Sequence, residues 1–136
     1  MEPEICYGTA MASGAASKRA TRDVEPSALP DLLEHPPRAS LAFVDRDAVD
    51  VLPVRARCDG AYRFGVRPES ASDLDGREVV LVIDDGPYWF ELRGISVRGR
   101  ARRIDPPQQE GARGLAWYAI EPRRVLAWDY GALREA

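Results

Sequence analysis

Arginine is the residue type in this chain best suited to ligand chemistry. Of the 19 basic residues, only Lys18 is a lysine. A guanidinium offers phosphate or carboxylate two parallel N–H donors, where an ammonium offers a point charge. Arginines beside any pocket are therefore the first candidates for holding an anion. Arg98, Arg100 and Arg102 recur at a two-residue spacing, which puts them on one face of a strand. Such a row can hold an anion, but on an edge strand it serves more often to block pairing with another chain. Trp89, Trp117 and Trp128 can stack on a cofactor ring, although buried indoles mostly serve cores and interfaces. Asp84-Asp85-Gly86 reads as a turn, because Asp and Gly suit turn geometry.

Other chemistries lack their parts. His35 is the single histidine, and it stands directly before Pro36 and Pro37. With one histidine and the distant pair Cys6 and Cys58, no zinc site can be built from the usual ligands, so no metal is expected. A serine or cysteine nucleophile needs an adjacent base, and none is evident. No catalytic residue is assigned. Redox chemistry on this chain must come from a cofactor, with the protein supplying position and electrostatics.

A chain of 136 residues suits one domain with one core. The formal net charge is -3, whereas proteins that bind nucleic acid backbones carry a basic surplus, so no nucleic acid partner is expected. No apolar run reaches the length of a membrane span, and the N-terminus lacks a signal-peptide core, so no membrane partner is expected. Two unpaired cysteines fit a reducing compartment. The expected location is the cytoplasm.

The elements that must position these residues are mainly strands. Residues 1–26 are rich in Ala, Ser, Gly and Thr and read as a flexible arm, with the folded domain over 27–136. A short helix is expected over 27–34, capped by Ser27 and ended by His35-Pro36-Pro37. Strands are expected over 39–44, 49–57, 61–67, 78–83, 88–104, 114–120 and 125–130. Pro53 within the second demands an edge or a bulge. Asp59-Gly60 marks a tight turn into the third. The strand over 78–83 is apolar on both faces and therefore central. In the long strand over 88–104 the apolar parity changes from Phe90 and Leu92 to Ile95 and Val97, which predicts a bulge near Gly94. Many short strands with close turns and no crossover helix predict an all-β, mainly antiparallel barrel.

Three blocks carry a family resemblance: ASLAFVDRDAVDVLPVRARCDGAYRFGV (39–66), VVLVIDDGPYWFELRGISVRGRA (79–101) and WYAIEPRRVLAWDYGALRE (117–135). In this order they resemble the pyridoxamine 5'-phosphate oxidase-like family, the FMN-binding split barrels. The resemblance implies a split β-barrel that pairs into a homodimer with flavin sites at the subunit interface. It implies FMN as cofactor, with deazaflavin, haem or no cofactor in other branches, and hydride transfer to or from a small molecule. The cofactor-binding residues it implies are Pro53, Val54 and Arg55 on the flavin-lining strand, with Arg57 weaker. Arg67, Ser70 and Ser72 follow on the phosphate side, and Trp128 beside the ring. A second function also fits: a non-enzymatic binding protein of the same fold that has lost the flavin.

One departure stands out. Many members open a helix after the third strand with a basic pair that grips the flavin phosphate. This chain has RPESASDLDGRE (67–78) instead, too short for that helix and carrying Glu69, Asp73 and Asp75. Losing two charge-assisted contacts of about 1.5–3 kcal/mol each weakens phosphate binding by about a hundredfold or more.

Overall fold

The computed structural model describes residues 23–86, 88, 92–109 and 111–130. A two-residue strand, β1 (Asp23–Val24), precedes a 3-10 turn at Pro26–Ala28 and a one-turn helix, α1 (Pro30–Glu34). Then come β2 (Ala39–Asp45), β3 (Ala48–Cys58), β4 (Tyr62–Val66), β5 (Glu78–Asp85), β6 (Arg93–Ile104) and β7 (Ala116–Asp129). The sheet order is β1-β7-β4-β3-β2-β5-β6, and β6 also pairs with β7. That last pairing closes β2 to β7 into an antiparallel six-stranded barrel, the all-β architecture expected from the sequence. The expected helix over 27–34 is broken at Leu29, because Pro30 restricts the residue before it. Ser27 makes no capping hydrogen bond there.

Strand period explains the core. Leu41 and Phe43 on β2, Val79, Leu81 and Ile83 on β5, and Ile95, Val97 and Ala101 on β6 point inward and are buried. Phe64 of β4 stacks on Tyr118 of β7 with ring centroids 5.2 Å apart. The Tyr118 hydroxyl accepts a hydrogen bond from the buried Leu74 N–H at 3.1 Å and donates to Asp73 Oδ1 at 3.2 Å. Leu74 is fully buried, so this contact seals one end of the barrel.

Three expectations are corrected. The segments 114–120 and 125–130 are not separate strands but parts of the continuous β7. Pro122 lies inside it, opposite Gly99, and Arg123 is the extra residue between the pairs Arg98↔Arg124 and Gly99↔Pro122. Proline cannot donate to the ladder, and the bulge absorbs that defect without ending the strand. The bulge predicted near Gly94 is absent, since β5 and β6 stay in register from Glu78↔Arg100 to Asp85↔Arg93. Gly94 is small for another reason: a Cβ there would meet the Trp128 ring at 2.5 Å. Phe90, half of that parity argument, lies outside the described residues. Finally, Arg98, Arg100 and Arg102 do not protect an edge, because β6 is paired on both sides.

The split is visible in β3. Over Ala48 to Val54 it pairs with β2, and over Arg55 to Cys58 with β4. At Pro53, β4 has already ended, so the missing N–H falls on a half-open stretch, as the sequence required. Replacing Tyr118 with Phe strands the buried Leu74 N–H. Urea denaturation is expected to show a loss of about 1–3 kcal/mol, whereas an unchanged midpoint and slope would show that the hydroxyl contributes nothing to the seal.

Candidate functional site

The half-open stretch of β3 forms one wall of a cavity of about 1410 Å3. Pro53, Arg55 and Arg57 alternate along β3 and point to the outside of the barrel; Val54, Ala56 and Cys58 lie between them on the same wall. The connector 33–39, which includes His35, Pro36 and Pro37, forms a second wall. Gly65, Arg67 and Ser70 form a third, where β4 leaves the barrel. Gln108, Gln109 and Leu115, from the loop between β6 and β7, close the fourth.

The arginines in this cavity differ in what they already hold. Arg57 donates through Nε to Asp59 Oδ2 at 2.9 Å and through Nη1 to Gln109 Oε1. Arg63 also donates to Asp59. The hydrogen bond from Arg57, then the positive charges of Arg63 and Arg57, hold the Asp59 carboxyl below the usual carboxylate value. Arg38 is bound to Asp84 at 2.8 Å. Arg55 and Arg67 are both exposed, and neither guanidinium makes a hydrogen bond or ion pair with any described residue. In the β3–β4 register Arg55 lies opposite Gly65, and Arg67 follows two residues on. Arg67 stands just past the end of β4, and both residues line the cavity.

Gly65 is buried beneath the Trp117 indole. A Cβ there would sit 2.6 Å from the Trp117 ring. Trp117 is itself buried, with its indole N–H donating to the Ala112 carbonyl at 2.8 Å. That bond ties the β6–β7 loop over the outer face of β4. Gly111, with φ at +84°, lets the loop pass against the Arg55 guanidinium, which a Cβ would meet at 2.2 Å.

Six of the cofactor-binding candidates singled out from the sequence, Pro53, Val54, Arg55, Arg57, Arg67 and Ser70, line this cavity. Ser72 is exposed and lies outside the lining, and Trp128 packs over Gly94 on another part of the barrel. Trp89 lies outside the described residues. Sequence reasoning missed Gly65, Gln109, Leu115 and the connector wall. Gln109 is 52 positions from Arg57, and only the fold brings them together. No group of three metal-ligating side chains occurs among the described residues.

Asp73 and Asp75, which looked hostile to an anion in the sequence, turn away from the cavity. Asp73 Oδ1 accepts from the Asp75 N–H at 3.0 Å and from Tyr118, and Asp75 Oδ1 accepts from the Arg103 N–H at 2.8 Å. The first of these bonds leads the causes that hold the Asp73 carboxyl below its usual value.

Neither a protein-family model nor a curated protein matches the sequence. Solved structures do match in fold. The conserved hypothetical protein Rv2991 from Mycobacterium tuberculosis superposes with a TM-score of 0.65 at 18% identity, over 85% of this chain and 91% of that one. The FAD binding protein from Mycobacterium smegmatis gives 0.61 at 15%, over 77% and 96%. A pyridoxamine 5'-phosphate oxidase candidate from Corynebacterium glutamicum gives 0.60 at 16%, over 81% and 93%. The chain shares the split-barrel fold of the pyridoxamine 5'-phosphate oxidase-like proteins. No helix among the described residues is long and apolar enough to cross a membrane.

Cys58 lines the cavity as a half-buried thiol. Burial, then the neighbouring Asp59 charge, pushes its thiol up from 9.0 to about 12. The fold therefore favours the neutral thiol. That stabilisation is complete below pH 9 and is lost as pH rises from there toward 12. Chemical denaturation across that interval is expected to show falling stability, with a flat profile in Cys58→Ala. With Cys6 replaced by Ser, labelling of Cys58 at pH 8 should be slow until the protein unfolds. Fast labelling of the folded protein would contradict the burial.

Proposed function

We propose that this cavity takes a flavin, with FMN as the first candidate and a deazaflavin as the second. The observation that carries the reading is the pair Arg55 and Arg67. Both guanidiniums line the cavity and neither has a side-chain partner among the described residues. An unpaired cation pair of this kind matches a phosphate monoester, which brings charge and several acceptor oxygens. Ser70 adds a hydroxyl donor on the same wall. Ser72 and Trp128, also implied by the resemblance, stand outside this cavity, so they contribute no contact in a single chain.

The residues fit the group. Arg55 and Arg67 supply the charge that the family's basic pair supplies elsewhere, and the acidic side chains of Asp73 and Asp75 are engaged away from the cavity. Arg57 stays fastened to Asp59 and Gln109 and holds the loop wall in place. Pro36, Pro37 and Pro53 offer rigid apolar surface for a ring system. A bound flavin would supply hydride transfer to or from a small molecule, which makes oxidoreductase the reaction class. The protein binds the phosphate, orients the ring and limits access of water. The solved relatives of the same fold that bind FAD support the cofactor class. We further propose that the chain works as a homodimer.

The test is the visible spectrum of the purified protein, followed by titration with FMN and with a deazaflavin. Flavin absorbance, or saturable uptake of either compound, is the expected result. Arg55→Ala and Arg67→Ala should each weaken FMN binding by about tenfold to a hundredfold, the cost of one charge-assisted hydrogen bond. Arg102→Ala, whose side chain pairs with Glu121 on β7, should leave it unchanged. A colourless protein that takes up neither compound would sink the reading, and a Soret band would replace it with haem.

A further inference from the structure

The loop between β6 and β7 brings one amide to the cavity and fixes it from several sides. Pro106 and Pro107 lead into Gln108 and Gln109, and their locked φ angles stiffen the approach. The Gln109 N–H donates to the Pro107 carbonyl at 3.0 Å, and the Gln109 carbonyl accepts from the Ala112 N–H at 3.2 Å. The Ala112 carbonyl in turn takes the indole N–H of the buried Trp117 at 2.8 Å. Both main-chain polar groups of Gln109 are therefore used up in turns, and the segment is moored to the barrel.

The side chain is fixed as well. A glutamine amide accepts at its oxygen and donates twice at its nitrogen. A guanidinium carries donors only, so the amide must turn Oε1 to Arg57 Nη1. Arg57 is itself held, because its Nε donates to Asp59 Oδ2 at 2.9 Å, and Arg63 also donates to Asp59. With Oε1 committed, the NH2 group is the free end of the amide. It makes no hydrogen bond with any described residue, although Gln109 is half-buried and lines the cavity.

The donors around the cavity then fall into two groups. Arg55 and Arg67 bring charge on the walls made by β3 and the end of β4, while Gln109 brings a neutral pair of N–H donors on the loop wall. A ligand matched to both carries an oxyanion and, apart from it, a neutral carbonyl acceptor.

We propose that Gln109 is a specificity-determining residue of this cavity, its NH2 donating to a carbonyl oxygen on the pyrimidine edge of the flavin ring. Arg57 is the positioning residue that fixes the amide in that sense. This inference rests on the flavin reading above and adds the group that recognises the ring. FMN and a deazaflavin share those carbonyls, so the contact serves either. It also separates two roles for Gln109. A latch for the loop needs only an acceptor for Arg57, whereas recognition of the ring needs the N–H as well.

The experiment separates those needs with riboflavin, a flavin without the phosphate, so that a charge placed at 109 meets no phosphate on the probe. Gln109→Glu keeps the acceptor for Arg57 and removes the donor; Gln109→Leu removes both. Circular dichroism and thermal unfolding check each fold. Gln109→Glu is expected to unfold no earlier than wild type, yet to bind riboflavin at least about tenfold more weakly, because two acceptors then face each other. Gln109→Leu should lose about fivefold. In infrared difference spectra the carbonyl bands of bound riboflavin should lie at higher frequency in Gln109→Leu than in wild type, the mark of a lost hydrogen bond. Arg57→Met should weaken riboflavin binding about threefold in wild type and no further in Gln109→Leu, since it acts through the amide. FMN is titrated alongside. Wild type that takes up neither flavin overturns the flavin reading and this inference with it. Wild type that binds FMN, with riboflavin affinity and carbonyl bands unmoved by either substitution at 109, overturns this inference alone and leaves Gln109 as a latch.

Discussion

The ladder between β6 and β7 is the constraint on which the rest of the molecule depends. It alone converts a curved sheet into a closed barrel, and it must do so across a proline. Pro122 can give no hydrogen bond, so β7 carries one extra residue, Arg123, and bends there. The bend brings the Glu121 carbonyl so near Gly99 that a Cβ would lie 2.1 Å from it. The inward residues of β6 accordingly shrink from Ile95 and Val97 to Gly99 and Ala101 on passing the bulge. Ile120 and the Glu121 backbone take up the space beside Gly99. Large and small inward residues must alternate in this way for a narrow barrel to fill without strain.

Closure in turn dictates where a ligand can be held. No charged or polar side chain is buried among the described residues, so the interior is a packed core. Recognition is left to the outside and to the one place where the ladder is incomplete. That place follows from strand lengths: β3 runs for 11 residues and β4 for only 5. Where β4 falls short, β3 presents Pro53 and Arg55 beside an opening. The same geometry sorts the arginines. Arg57, one step further along, reaches Asp59 and Gln109 and is neutralised as a structural strut. Arg55 has only a glycine opposite and the bare backbone of Gly111 beside it. Its guanidinium has no side-chain partner among the described residues.

Much of this was legible from local pattern. Alternation identified the inward faces, the continuous apolar run identified β5 as central, and Asp59-Gly60 marked the tight connection between β3 and β4. The requirement that Pro53 sit at an edge pointed directly at the split. What failed had a common cause: the meaning of a residue depended on a partner far along the chain. Pro122 looked like a terminator because its accommodation by Gly99 lies on another strand. Gly94 looked like a bulge because the Trp128 ring above it was invisible. Arg98, Arg100 and Arg102 looked like edge protection because the second partner of β6 could not be seen. Most of the cavity's lining on β3 and after β4 was found, since those residues follow one another along the chain. The walls made by 33–39 and by 108–115 were not, since they arrive from distant segments.

The short connection between β4 and β5 shows how charge in a sequence differs from charge at a site. Counted along the chain, Glu69, Asp73 and Asp75 place negative charge where relatives of this fold place cations. In space, Asp73 and Asp75 serve the backbone. One closes a turn and receives the Tyr118 hydroxyl; the other holds the Arg103 N–H at the end of β6. Together they anchor Leu74 as the plug of the barrel. Neither carboxylate lines the cavity, so both stand further from its walls than their place in the sequence suggests. The connection can therefore be short and acidic without excluding an anion next door. Its shortness even helps: with no helix inserted after the single 3-10 turn at Pro68–Ser70, Arg67 and Ser70 stay at the rim where β4 ends. With Arg55 on β3, that rim carries positive charge beside the split of the barrel.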